Sequence, residues 1–466
     1  MSDNPSHSPL TCEVLTDTHV EEASGDILGW SSLVSDLAQT IGSATPPNVI
    51  GVNGDWGAGK TSFLHLLENK LQKDNSPTLF FEAWRYENEP VPIVALIQEI
   101  REHLSWVQKA KRTSRKLGEA AFYGSLSSID HLTEKIEVSA SKVVKATKAA
   151  GEAWEKRNYE TPLSAKVIRD LLHEAITALL GKGKRLTIII DDLDRCDHRT
   201  AYRLLEGIKI YLNIPSCVFV LGINLREIRR SISVMLKDEL PSPEEDAGNI
   251  LEVRSREYLE KICSYMVALP ILNEANEKAL LEQWLFYQAS HSPDKENCRQ
   301  TVMNLCSEYS PLLPANPRKI KSFANTFNRL FTRSWNDPSF DPVSEYSSDE
   351  FKKYASNLLL AAYFKTYLED ISRVLQREPS YLVRIQEWAQ EEDHSTDSPD
   401  RNLANLKRPY LGGKIQGSQA SSRPTETTRE DSAYLDPAYG NIFFIQRLVM
   451  NSTDIDQNRL SQLLSL

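Results

Sequence analysis

Cysteine is scarce in this chain and follows no pattern. The six residues (Cys12, Cys196, Cys217, Cys263, Cys298 and Cys306) include no C-x-x-C pair and no regular spacing. That excludes a disulfide framework and a thiolate zinc site and leaves reduced thiols. The nine histidines are equally scattered, without the spacing of metal ligands. No run approaches the ~18 to 20 apolar residues that a membrane span requires. Basic charge is not in excess: 54 Lys and Arg face 64 Asp and Glu, a net of −10. The balance argues against wholesale coating of DNA or anionic lipid, although a local patch could still engage either. The opening residues, Met1-Ser2-Asp3-Asn4-Pro5, lack the basic stretch and apolar core of a secretion signal, so the expected location is cytoplasmic. What is present is ordinary globular material. At 466 residues, 41% apolar and 25% charged, the chain has room for two or three domains and a large core.

Residues 54 to 61 carry the chemistry: Gly54-Asp55-Trp56-Gly57-Ala58-Gly59-Lys60-Thr61, the G-x-x-x-x-G-K-[ST] pattern of a phosphate-binding loop. An apolar run, Val49-Ile50-Gly51-Val52, precedes it, and helical spacing (Phe63, Leu64, Leu66, Leu67, Leu71) follows. In that setting backbone N–H groups turn inward around the β-phosphate, and the helix N-terminus adds a favourable dipole. Lys60 reaches the β- and γ-phosphates, and Thr61 offers its hydroxyl to Mg²⁺. A glycine-rich surface turn is the competing reading.

A phosphate loop needs an acid at the end of another buried strand. Leu186-Thr187-Ile188-Ile189-Ile190-Asp191-Asp192-Leu193-Asp194 reads as that strand, parallel and central, opening onto a ligand at its C-terminal end. Asp191 is expected to hold the Mg²⁺ shell and Asp192 to polarise the attacking water, as in a Walker B pair. The alternative is a strand followed by an ordinary acidic turn. A third run, Cys217 to Ile223, ends in Asn224, placed to sense the γ-phosphate, to cap the helix beginning at Leu225, or to do both. A fourth, Thr78-Leu79-Phe80-Phe81-Glu82-Ala83-Trp84, has strand composition, with Trp84 expected to pack.

Taken in order, these segments resemble the KAP family of P-loop NTPases, a branch of the AAA+ and STAND-like ATPases. The matching pieces are Asp26-Ile27-Leu28-Gly29-Trp30, the loop from Gly54 to Ser62, Phe81 to Tyr86, Asp191-Asp192-Leu193-Asp194-Arg195-Cys196, Tyr258 to Ile262, and Asn316-Pro317-Arg318-Lys319-Ile320-Lys321. The resemblance covers roughly residues 26 to 335. It implies an α/β fold, a three-layer P-loop NTPase with a mostly parallel sheet, followed by an all-helical lid. It also implies ATP hydrolysis coupled to conformational or assembly change, with ATP and Mg²⁺ as ligands, often in membrane-linked complexes or systems that exclude phage and plasmids. Within it, Arg318 would be a second sensor and Arg195 the first choice for an arginine finger, with Arg254 and Arg256 in reserve. A salt bridge inside its own turn is the other role open to Arg195. Two departures stand out. The interval where many relatives carry transmembrane helices, residues 105 to 160, has none here, and position 82 is Glu where a small polar residue is expected.

The expected organisation is a flexible N-terminus (1–25), an ATPase core (26–250), a helical lid (251–335) and a helical C-terminal region (349–466) with a polar linker at about 393–433. A helix over 26–42 would dock on the core, with Leu28 and Trp30 either packing or touching the base. The insert at about 105–160 is rich in Lys and Arg, and Leu132, Ile136, Ala140, Val143, Thr147, Ala150 and Trp154 lay one stripe along a helix. It is a hairpin packed on the core, an assembly helix, or a basic surface for membrane or nucleic acid. From 250 to 335 the pattern reads as helical throughout, broken at Pro270.

The leading reading is an ATPase that switches or assembles with nucleotide state, as a homo-oligomer or within a multi-protein complex of unknown partners. The alternatives are a nucleotide-gated scaffold with little turnover and a DNA-acting ATPase, the latter opposed by the acidic balance. No Asn-Lys-x-Asp follows at the place a guanine-specific enzyme requires.

Overall fold

A computed structural model describes residues 11–16, 26–89, 92–107, 165–180, 184–237, 247–286, 299–306, 313–336, 349–390 and 456–466. The basic insert and the polar linker expected from the sequence lie outside the described residues, apart from the insert's first few positions. The chain separates into two compact units, His19–Leu269 and Met1–Thr18 with Pro270–Leu466. Among the described residues no helix is long and apolar enough to cross a membrane.

The first unit is a five-stranded sheet in the order β2-β3-β4-β1-β5, with β1 Asn48–Asn53, β2 Thr78–Glu82, β3 Leu186–Asp191, β4 Cys217–Ile223 and β5 Tyr265–Ala268. Every neighbouring pair is parallel. Parallel strands need crossovers that cover both faces, so the interior strands read as unbroken apolar runs. The helices are α1 Ser31–Ser43, α2 Lys60–Lys73, α3 Pro92–Val107, α4 Ala165–Leu180, α5 His198–Tyr211, α6 Leu225–Leu236 and α7 Ala247–Ile262. Alternation along the strands sorts the core into two layers. Ile188, Ile190, Phe219 and Leu221 pack against α3 to α7. Ile189, Val218, Val220, Ile50 and Val52 face the other way, against α1 and α2. The result is the three-layer α/β arrangement expected.

Three local expectations change. Helix α1 begins at Ser31 rather than at 26, because the Asp26 carboxylate accepts from the Trp30 and Ser31 amides and from the Ser31 hydroxyl. Those bonds satisfy the donors of the first turn from outside the helix, with Gly29 at φ 70° closing the turn. The stretch from 250 to 335 is not helical throughout, since β5 extends the sheet beside β1. Trp84 does not pack: the chain leaves β2 in a short 3-10 turn, Ala83–Tyr86, and the ring is 53% exposed.

The second unit is helical: α8 Glu274–Trp284, a helical stretch at 299–306, α9 Pro317–Asn336, α10 Asp349–Tyr367, α11 Glu369–Arg377, α12 Tyr381–Gln390 and α13 Gln457–Ser465. Asn316 starts α9 as expected, its Oδ1 accepting from the Lys319 amide, with Pro317 at the first helical position. Helix α10 is buried continuously from Tyr354 to Phe364 and forms the centre of this unit. Two side-chain amides tie α13 in place: Asn357 accepts from the Asp456 amide, and Gln376 donates to the Leu464 carbonyl.

Candidate functional site

The site is built at the C-terminal ends of β1, β3 and β4. Strand β1 runs into the loop Gly54–Gly59, pinned by the Gly54 amide on the Ile223 carbonyl (3.1 Å) and by the Ala58 amide on the Asp55 carbonyl (3.0 Å). Gly59, at φ 96°, occupies the left-handed region, and a β-carbon there would lie 2.5 Å from the Trp30 ring. Trp30 is buried over this glycine and meets Phe63 edge-on at 5.8 Å, so it packs the loop from beneath. Helix α2 then starts at Lys60 with no side-chain cap, whereas α5 and α6 are capped by Asp197 and Asn224. An uncapped first turn at the end of a central strand is where an anion's oxygens find backbone donors.

Lys60 is buried, and its Nζ donates to the Gly54 carbonyl at 2.8 Å and to the Asp55 carbonyl at 3.4 Å. A third contact, at 3.5 Å, goes to Asp194 Oδ2. Asp194 also accepts the Trp56 indole N–H at 2.6 Å. Sequence reasoning gave Asp194 no role, because a partner 134 residues away leaves no local signal.

The acidic turn presents three carboxylates in three states. Asp191 is 1% exposed, and neither of its oxygens makes a hydrogen bond of normal geometry. Burial pushes its carboxyl above the ordinary carboxylate range, and the nearby Thr61 hydroxyl, the Asp192 amide and the Lys60 ammonium offset this only in part. Space for it is left by Gly222 on the adjacent strand, where a β-carbon would sit 2.8 Å from Asp191 Oδ1 and 2.5 Å from the Leu64 side chain. That glycine, too, was missed, since its role depends on the pairing of β3 with β4. Asp192 adopts φ 58°, a left-handed conformation that Asp tolerates better than most residues. Burial and the neighbouring Asp191 push its pKa up to about 6, against the pull of Arg195. Arg195 Nε lies 2.9 Å from Asp192 Oδ1, so of the two roles open to this arginine the structure displays the ion pair within the turn.

Asn224 caps α6, accepting from the Arg226 amide at 3.0 Å, and donates through Nδ2 to Asp55 Oδ1 at 3.4 Å. It therefore joins the tip of β4 to the loop. Thr61 and Ser62 lie in the first turn of α2, and Gly57 takes φ 80° within the loop. Arg254 and Arg256 are exposed on α7, the latter within 4.0 Å of Glu252. Arg318 belongs to the first turn of α9 in the other unit. Glu82 ends β2 in register with Asp191 and is ion-paired to Arg85.

A hard divalent cation takes oxygen ligands, in phosphate sites one or two carboxylates completed by substrate and water. A buried Asp191 with both oxygens unpaired, a hydroxyl beside it and a glycine keeping the space open fit such an ion.

Comparison with known proteins agrees with this geometry. The phage T7 exclusion protein of Escherichia coli (strain K12) is 23% identical over 344 residues, 68% of this chain and 43% of that protein. The chain thus spans less than half of that relative's length. The family model described as the KAP family P-loop domain matches residues 31–333. That match covers well over half of the sequence, and the chain belongs to the KAP family of P-loop NTPases.

Proposed function

We propose that this protein binds ATP and hydrolyses it to ADP and phosphate, as a switch or assembly component that changes with nucleotide state. The observation that carries the reading is the meeting of a buried lysine and two raised-pKa aspartates at the C-terminal ends of the interior strands, beside an uncapped helix start. The loop amides and the first turn of α2 cradle the phosphates, and Lys60 turns toward the terminal one. Thr61 and Asp191 would hold Mg²⁺, which when bound neutralises charge on the β- and γ-phosphates. Asp192 accepts a proton from water as its oxygen attacks the γ-phosphorus and the bond to the bridging oxygen breaks. Asn224, already fixed to the loop, orients that water. Arg195, released from Asp192, or Arg254 or Arg256 of a neighbouring copy would meet the charge that develops, with Arg318 as a second sensor.

A second reading, a nucleotide-gated scaffold with negligible turnover, is favoured by one observation: Asp192 is engaged by Arg195. Asp192→Asn separates the two. A hydrolase loses turnover and retains ATP, whereas a scaffold behaves as before. The relative's name supports a role in excluding phage. A homo-oligomer or multi-protein complex in the cytoplasm is part of the same proposal and does not rest on that name. Turnover and particle mass, followed with and without ATP in wild type and Lys60→Ala, test the switch. Tight binding with neither turnover nor a change in mass would sink it.

A further inference from the structure

Asp194 is the acid that nucleotide chemistry does not claim. It is buried, its Oδ2 is shared by the Trp56 indole N–H and the Lys60 ammonium, and its Oδ1 has no hydrogen-bond partner. Lys60 spends its donors on the protein, on the carbonyls of Gly54 and Asp55 and on this carboxylate. A buried ammonium needs a counter-charge. Asp192 is already paired with Arg195, and Asp191 makes no hydrogen bond to the lysine, so Asp194 supplies it. Trp56 is an unusual second partner. Its ring stays 55% exposed while its N–H is sent inward to a residue 138 positions away.

We propose that Asp194 is a built-in counter-anion which an entering phosphate must displace from Lys60, so that it opposes nucleotide binding while Trp56 reports the exchange. The inference rests on the nucleotide-binding reading above and adds a positioning residue to it. A phosphate draws Nζ away from Asp194. The carboxylate is then left without its cation, close to Asp191, Asp192 and the new negative charge, and like charges so close in a poorly solvated site repel strongly. Nucleotide affinity is therefore set by a competition between two anions for one lysine. An asparagine at 194 keeps an oxygen acceptor for the indole and removes the competitor.

The test is equilibrium binding of ATP, by calorimetry and by intrinsic tryptophan fluorescence, with Mg²⁺ and with a chelator. Asp194→Asn should bind ATP more tightly than wild type, by about five- to a hundredfold, the range of ordinary coupling between two ligands. The gain should be larger in the chelator, where no cation masks the carboxylate. An Asp194→Asn protein with the wild-type melting temperature that binds ATP no tighter would overturn the proposal. Should that variant fail to fold, Trp56→Phe decides: the change in emission that ATP produces in wild type should vanish, and its survival in full would overturn the exchange. Wild type that binds no ATP removes the nucleotide reading and this inference together. Wild type that binds, with Asp194→Asn unchanged, sinks only the inference.

Discussion

The loop at the end of β1 and the turn at the end of β3 meet through Lys60, Trp56 and Asp194, yet they treat their polar groups in opposite ways. The loop is tied down: the Gly54 and Ala58 amides meet carbonyls, its lysine meets carbonyls and Asp194, and Asn224 holds Asp55. The turn leaves groups unpaired, with both oxygens of Asp191 and one of Asp194 buried without a hydrogen bond. One side is preorganised and stable, while the other stores unfavourable electrostatics that a cation would relieve. The difference predicts that substitutions in the loop damage binding and fold together, whereas substitutions in the turn can damage function and improve stability.

The largest effect is expected on the loop side. Lys60→Ala removes the one cation the loop donates and leaves Asp194 buried without its counter-charge, with only the Trp56 indole N–H on it. Turnover should fall by about a hundredfold or more, and the melting temperature should fall with it. A variant that keeps wild-type turnover would dissolve the contrast. Asp191→Asn tests the other side, with signs that diverge. Removing a buried, uncompensated carboxylate should raise the melting temperature by a few degrees, at about 2 to 4 °C per kcal/mol for a unit of this size. It should also abolish the dependence of nucleotide binding on Mg²⁺. Stability and affinity falling together would show that Asp191 is held by contacts like those of the loop.

Gly222→Ala presses on the turn without changing a charge. The new methyl meets Leu64 and Asp191 at 2.5 and 2.8 Å. Overpacking of this kind costs about 1 to 3 kcal/mol, and thermal melting with and without Mg²⁺–ATP would show whether the site gives way before the fold does.

Titration separates the two sides more gently. An unfolded aspartate titrates near ~4, whereas Asp192, among Asp191, Asp194, Lys60 and Arg195, does so at about 6 in the fold. Between those values the folded chain holds more protons than the unfolded one, so this group's contribution to stability is lost as pH rises from about 4 to 6. Asp192→Asn should flatten that slope in melting experiments across the window. On the proposed reading, turnover should also decline below about pH 6 as the base becomes protonated.

How much of this was legible in the sequence follows from the range of the forces involved. Strands β1, β3 and β4 announce themselves because their residues are buried on both faces and contiguous, and the loop because its pattern is local. Asn224 was legible for the same reason, since both its capping role and its place at a strand tip are read within four residues. Strand β5 was hidden: it has four residues at the sheet edge, and of these only Val267 is buried, so no alternation marks it. The start of α1 was hidden by a carboxylate five residues upstream of Ser31. Asp194 and Gly222 needed the fold itself, one to bring the turn to the loop and the other to set β4 beside β3.

The smallest effect should come from a pair of tryptophans that look alike. Trp56 and Trp84 are 55% and 53% exposed, and both follow strands of the same sheet. They differ in where the indole N–H goes, since that of Trp56 reaches Asp194, and the 3-10 turn carrying Trp84 has no comparable bond to the acids among those described. Trp84→Ala removes a solvent-facing ring, so stability should move by no more than about 0.5 kcal/mol, and ATP affinity measured by calorimetry should not change. Turnover should follow suit in the isolated chain. A loss of turnover or of assembly at unchanged stability and affinity would mean that the exposed ring meets a second protein. The contrast would then become one between a tryptophan that reads the nucleotide and one that reads a neighbour.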